Sequence, residues 1–233
     1  SDSGDLALAP LSVERLEAYA VGGQLRLSGN YETVVGSGFY TPYLNFGAGA
    51  GIRLDGNTSI SAPGEIRLEA PVRGPHELAL NNAAAPFPSQ MLLPFTLGDT
   101  SLSAGDALAR LTINASSSLN LPEINVTGDI VAQSASDLAI GAGSVLNAGG
   151  TGNAIVLAAG GNFINNAGST ALSTPSGRWL VYSTSPGGST EGGLTALADA
   201  TMPRLYNRTF ALNGPVTIPA GKHLIYSSQP TID

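Results

Sequence analysis

The sequence predicts an all-β chain wound as a parallel β-helix, a solenoid with loop insertions and a small carboxy-terminal extension. Short apolar triplets of β-forming residues recur along its 233 residues, separated by Gly, Asn, Ser and Asp. They fall into three interleaved ladders. One runs Leu111, Ile130, Ile155, Trp179, with steps of 19, 25 and 24; a second runs Leu119, Leu138, Phe163, and a third Ile124, Val145, Ala171, at similar steps. The composition agrees: charged residues are only 12 % of the chain, while Gly (30) and Pro (15) are abundant, as tight corners require. A three-residue strand is too short to stand in an isolated hairpin. Stacked in parallel at about 4.8 Å, such strands support one another around a shared narrow core. Roughly ten coils at that spacing make a rod on the order of 50 Å long.

Taken in order, the amino-terminal half follows the rule with interruptions. Leu6-Ala7-Leu8 and Leu25-Arg26-Leu27 lie 19 apart, and Leu25-Arg26-Leu27, Ile52-Arg53-Leu54 and Ile66-Arg67-Leu68 share an apolar-Arg-Leu pattern at steps of 27 and 14. Alternation points the arginines outward and the aliphatics inward. Val13 to Tyr19 is compatible with a short amphipathic helix, but it fills one step between two matching triplets and is read as strand. An aromatic-rich insertion is expected at about 30–48. The β-helix is expected to occupy residues 1–184. Residues 185–233 form a carboxy-terminal segment with a short helix at Leu194 to Ala200, which follows a glycine-rich turn, and extended strands leading to a further domain.

The same numbers exclude several functions. The net charge of −7 and the single Lys argue against a nucleic-acid partner. Cys is absent, which removes disulfides, thiolate metal sites and cysteine nucleophiles. The two histidines, His76 and His223, are far apart in sequence, so no metal or other cofactor is expected. No run approaches 18 consecutive apolar residues. The start, Ser-Asp-Ser-Gly-Asp, lacks a basic segment followed by an apolar run, so any export signal is expected elsewhere in a longer parent chain.

Candidate sites are few. Five aromatic residues, Tyr31, Phe39, Tyr40, Tyr43 and Phe46, fall in a 16-residue window. Read as a loop thrown out from the rod, they offer a platform for sugars or a protein partner; the alternative is that the loop folds back and covers the rod. Asp99 and Asp106 flank a short loop and suit turns better than a calcium site, which wants six to eight oxygens. A hydrolase on this scaffold needs paired carboxylates about 5–10 Å apart, and Glu14 with Glu32 or Asp106 with Glu123 miss matching ladder positions. No catalytic residue is assigned, and a β-helical polysaccharide lyase or hydrolase is kept as the alternative. Four Asn-X-Ser/Thr sequons begin at Asn57, Asn114, Asn125 and Asn207; chance yields such matches in a chain this rich in Asn, Ser and Thr. Asn114 and Asn125 suit polar ladders stacked inside the coils.

Longer stretches resemble a known family. Asn162-Phe163-Ile164-Asn165-Asn166 followed by Gly177-Arg178-Trp179-Leu180-Val181-Tyr182-Ser183 resembles the end of the shaft in filamentous-haemagglutinin-like exoproteins, the large adhesins of Gram-negative two-partner secretion systems. Tyr206-Asn207-Arg208-Thr209-Phe210 and His223-Leu224-Ile225-Tyr226-Ser227 resemble the segment preceding their small β-sandwich repeats, and Leu111-Thr112-Ile113-Asn114, Leu119-Asn120-Leu121 and Ile124-Asn125-Val126 their shaft coils. The resemblance covers residues 66–233 well and the rest loosely. It implies a right-handed β-helix and export through an outer-membrane secretion pore to the bacterial cell surface. It also implies a non-catalytic role in adhesion or biofilm formation, with a surface receptor or exopolysaccharide as partner. The chain departs from a whole family member in lacking the amino-terminal secretion domain. Two roles remain open within it: a passive spacer, or a segment that itself binds polysaccharide through the aromatic window.

Overall fold

The computed structural model describes residues 4–34, 42–82 and 90–230. Its architecture is all-β, and every strand pairing among these residues is parallel. A twelve-stranded long sheet runs the length of the chain. From Leu25–Thr33 it passes through Ile52–Ser61, Glu77–Asn82, Arg110–Ala115, Ile130–Ser134, Asn153–Ala159 and Arg178–Ser183 to His223–Tyr226. A four-stranded amino-terminal sheet holds Arg15–Ala20, Tyr43–Ala48, Glu65–Leu68 and Gln90–Leu92. Two three-stranded sheets complete the stack: Leu119–Leu121, Leu138–Ile140 and Phe163–Asn165 in one, Ile124–Val126, Leu146–Ala148 and Leu172–Ser173 in the other.

The first two ladders match the observed register. Leu111 pairs with Ile130, Ile130 with Ile155 and Ile155 with Trp179, and Leu119 with Leu138 and Leu138 with Phe163. The third is displaced by one residue, because Ile124 pairs with Leu146 and Leu146 with Leu172; Leu, not the neighbouring Val145 or Ala171, holds the ladder position. One bulge interrupts the register between Asn153 and Ile155 and another falls between Leu27 and Gly29.

Alternation builds the core. In Arg110–Ala115 the residues Leu111, Ile113 and Ala115 are buried while Thr112 and Asn114 are half-exposed. Stacked inner residues, from Ala18 to Tyr226, form one continuous apolar cluster. Each fully buried Leu or Ile contributes about 1.5–3 kcal/mol from area removed from water. Corner residues satisfy the backbone where the chain leaves a strand. Buried Asn82 donates to the carbonyls of Ala62 and Gly64 and accepts from the Ser116 hydroxyl. Buried Asn165 donates to the carbonyls of Gly168 and Glu191 and accepts from the Ala167 N–H. Gly98 lies at φ +76°, and a Cβ there would collide with the Asn125 carbonyl oxygen, so that turn admits only glycine.

Several sequence expectations are corrected. Ile66-Arg67-Leu68 belongs to the amino-terminal sheet, paired with Tyr43–Ala48, and not to the long sheet that holds the other two Arg triplets. The 30–48 window is not an outlying loop where it is described: Tyr31 to Thr33 continue one strand and Tyr43–Ala48 form another. Arg15–Ala20 is strand, as the spacing predicts. The expected helix is a single 3-10 turn, Leu194–Leu197, and no α-helix occurs among the described residues. Asn114 and Asn125 do stack in ladders, but on the outer face, paired with Gln133 and Asn147.

Beyond residue 184 the chain returns to the long sheet. Arg204–Leu205 pairs with His223–Tyr226. Leu205, Phe210 and Ile218 pack on Val156, Ala158, Leu180, Tyr182 and Ile225, forming a second apolar cluster on the sheet's outer face.

Candidate functional site

The aromatic window divides between the two faces of its strands. Phe46 and Tyr31 are fully buried, their rings edge-to-face at 5.6 Å, and the Tyr31 hydroxyl donates to the Leu8 carbonyl at 2.5 Å. Tyr43, on the opposite strand face from Phe46, points outward and is half-exposed. Phe39 and Tyr40 lie outside the described residues. Among those described, the five candidates therefore do not form one exposed platform; only Tyr43 reaches the surface.

Around Tyr43 lies a polar lattice on the outer face of the amino-terminal sheet. Its hydroxyl donates to Glu17 Oε1 at 2.6 Å, and the Arg15 guanidinium sits 4.5 Å from its ring centre. On the next row Tyr19 donates to Glu69 Oε2 at 2.7 Å and accepts from Asn45 Nδ2 at 2.5 Å. Arg67 bridges Glu65 at 3.0 Å and Glu69 at 3.1 Å. The hydrogen bond to Glu69 pushes the Tyr19 phenol up to about 12, and the same bond, with Arg67, holds Glu69 below the usual carboxylate range. The Tyr43 phenol is raised by Glu17. Tyr19 lies against Gly47, where a Cβ would stand 2.5 Å from its ring. Sequence reasoning misses Tyr19, Glu17 and Glu69, because the partner lies one strand away for Glu17 and two strands away for the Tyr19–Glu69 pair, and only the register joins them. The lattice satisfies its own charges, so it reads chiefly as a brace across three strands.

The remaining candidates are structural. Asp99 pairs with Arg73 at 2.8 Å and Asp106 with Arg53 at 3.3 Å; burial pushes the Asp99 carboxyl up, but Ser101 and Arg73 outweigh it and hold it low. No group of His, Asp and Glu suited to a metal ion occurs among the described residues. His223 is buried between the carbonyls of Met202 and Ala220. Arg178 binds Asn153 Oδ1 at 2.6 Å and the carbonyls of Pro215, Ile218 and Pro219, clasping the carboxy-terminal segment. Glu191 is the hub of a second clasp: it accepts from Arg204 Nε at 2.7 Å, from Tyr226 at 2.5 Å and from Thr195. Burial pushes the Glu191 carboxyl up; hydrogen bonds from Arg204, Thr195 and Tyr226 overcome that and hold it low. No described helix is long and apolar enough to cross a membrane.

No protein-family model, curated protein or solved structure matches the chain.

Proposed function

We propose that the chain winds as a right-handed parallel β-helix and serves as a non-catalytic stalk segment of a large secreted adhesin. In this reading it passes through an outer-membrane pore of the two-partner type and stands on the exterior of a Gram-negative cell. There it holds adhesive surfaces away from the cell in adhesion or biofilm formation, in contact with a surface receptor or exopolysaccharide. The observation that carries the reading is the joint advance of three parallel sheets. Leu111, Ile130, Ile155 and Trp179 succeed one another in register in one sheet while Leu119, Leu138 and Phe163 do so in another. A body built that way grows in one direction and resists bending, which is the mechanical requirement of a spacer. Absence of cysteine suits passage through a pore as an unfolded thread.

The test replaces this segment of the displayed parent adhesin by a flexible Gly/Ser linker of equal length. Adherence lost while surface display persists supports the stalk. Undiminished adherence overturns it, as does turnover of pectin-like or glycosaminoglycan polymers by the purified chain.

A further inference from the structure

One outward row of the long sheet takes no part in the lattice or the clasps. Asn81, Asn114, Gln133, Ala158 and Tyr182 are in direct register on five successive strands. At the strand spacing of about 4.8 Å, the row extends for roughly 19 Å. Two recesses lie along it. One, of about 360 Å³, is bordered by Asn81, Asn114 and Gln133; the other, of about 260 Å³, by Gln133, Ala158, Tyr182, Arg208 and Phe210. They share Gln133 and Ser134, so they form one groove.

The chemistry of the groove changes along its length. Its first part is an amide ladder. Gln133 donates to Asn114 Oδ1 at 3.1 Å and Asn81 to Ser61 at 3.4 Å. A primary amide has two donors and an acceptor with two lone pairs, so these single bonds leave the Asn114 nitrogen and the Gln133 oxygen open to a ligand. Ala158 and Tyr182, both buried, then pass beneath the carboxy-terminal segment, and Phe210, edge-to-face with Tyr182 at 5.4 Å, makes a half-buried aromatic wall where the groove ends. Beside it stands Arg208, whose guanidinium pairs with no carboxylate among the described residues. No carboxylate among the described residues borders either recess. In a chain of net charge −7, such a groove ends at an arginine that no carboxylate among the described residues neutralises.

We propose that this groove binds an extended acidic polysaccharide, its sugars stepping along the Asn81–Asn114–Gln133 row and a uronate carboxylate meeting Arg208 beside Phe210. A periodic ligand suits a periodic ladder, since one strand spacing is comparable with the length of one pyranose ring. Amides that both donate and accept match vicinal hydroxyls, and the planar guanidinium fits a carboxylate through paired hydrogen bonds. The inference deepens the stalk reading and rests on it only in taking an extracellular polymer as ligand.

The test is calorimetric titration of the full 233-residue chain with a graded series of oligogalacturonates and, in parallel, neutral cello-oligosaccharides. Acidic oligomers should bind more tightly, with affinity rising until the groove is spanned. Arg208→Gln should lower oligogalacturonate affinity about tenfold, the scale of one charge-assisted contact, and leave the neutral series unchanged, while Arg208→Lys retains part of the preference. Asn114→Ala/Gln133→Ala should weaken both series; Tyr43→Ala, on the other sheet, should weaken neither. Absence of oligogalacturonate binding overturns the proposal, and so does binding unaffected by both groove variants. Neither result bears on the linker replacement, which judges the stalk by adherence.

Discussion

Between Arg110 and Ala148 the long sheet buries one face; between Asn153 and Tyr226 it buries two. In the middle strands inner residues are buried and outer residues such as Thr112 and Val131 are half-exposed. In Asn153–Ala159 and Arg178–Ser183 nearly every residue is buried, because residues 203–218 lie across the outer face. The sequence pattern changes with the environment: alternation gives way to the continuous run Trp179-Leu180-Val181-Tyr182, as expected when a parallel strand is covered on both sides. Thus repetition builds a stack, but an appended segment seals only its last strands. The seal is fastened by Arg178 and Glu191 as well as by apolar contact.

The largest effect should come from deleting an outer-face side chain under the seal. Leu180→Ala is expected to cost about 2–5 kcal/mol, whereas Thr112→Ala, its counterpart in the middle strands, should stay within about 0.5 kcal/mol. Chemical denaturation of both variants checks this, and equal costs would erase the distinction. Next, Arg204→Met leaves the Glu191 carboxylate partly buried without its cation, at about 1–3 kcal/mol. Because the folded Glu191 carboxyl is held low, its contribution is present above the ordinary carboxylate value and lost as pH falls through the depressed one. Glu191→Gln should therefore flatten the acid limb of the stability curve, read by thermal melting against pH.

Phe210→Ala should cost about 1 kcal/mol, since the ring is only half-buried, but it should loosen residues 203–218 selectively. Hydrogen exchange should quicken there and remain unchanged in Arg110–Ala115. Burial pushes the Tyr182 phenol up to about 12, so the same variant should bring its titration back toward 10; Tyr182→Phe identifies the signal. The smallest effect belongs to the exposed lattice. Tyr19 also titrates near 12, and Gly47→Ala, by displacing its ring from Glu69, should return it toward 10. With a raised folded value, that contribution is full below pH 10 and disappears as pH climbs to about 12, a range in which Tyr19→Phe should be flat.

Much of the stack is legible in the sequence because parallel pairing places like residues on like residues. The Leu111 and Leu119 ladders can be followed by type alone. At Val145-Leu146 and Ala171-Leu172 two adjacent apolar residues compete, and a period of two cannot choose the phase. Ile66-Arg67-Leu68 carries the same inward–outward signal as Ile52-Arg53-Leu54, but that signal does not say which sheet a strand joins. The aromatic window misleads for a related reason. Closeness in sequence is not closeness on a surface when Leu44 and Phe46 alternate with Tyr43 and Asn45 across the strand. The Tyr19–Glu69 bond and the amide groove join residues whole strands apart, so neither is visible until the register is known.

The bulge at Asn153–Ile155 leaves the pairing of the strands that follow it in register. In such a stack each strand is the mould for the next, and a slip by one position would be handed on, turning every later side chain inside out. One added residue that is taken up locally, with Trp179 still seated on Ile155, works as an error-correcting splice. It marks where the chain can accept an insertion without corrupting the copies stacked above it.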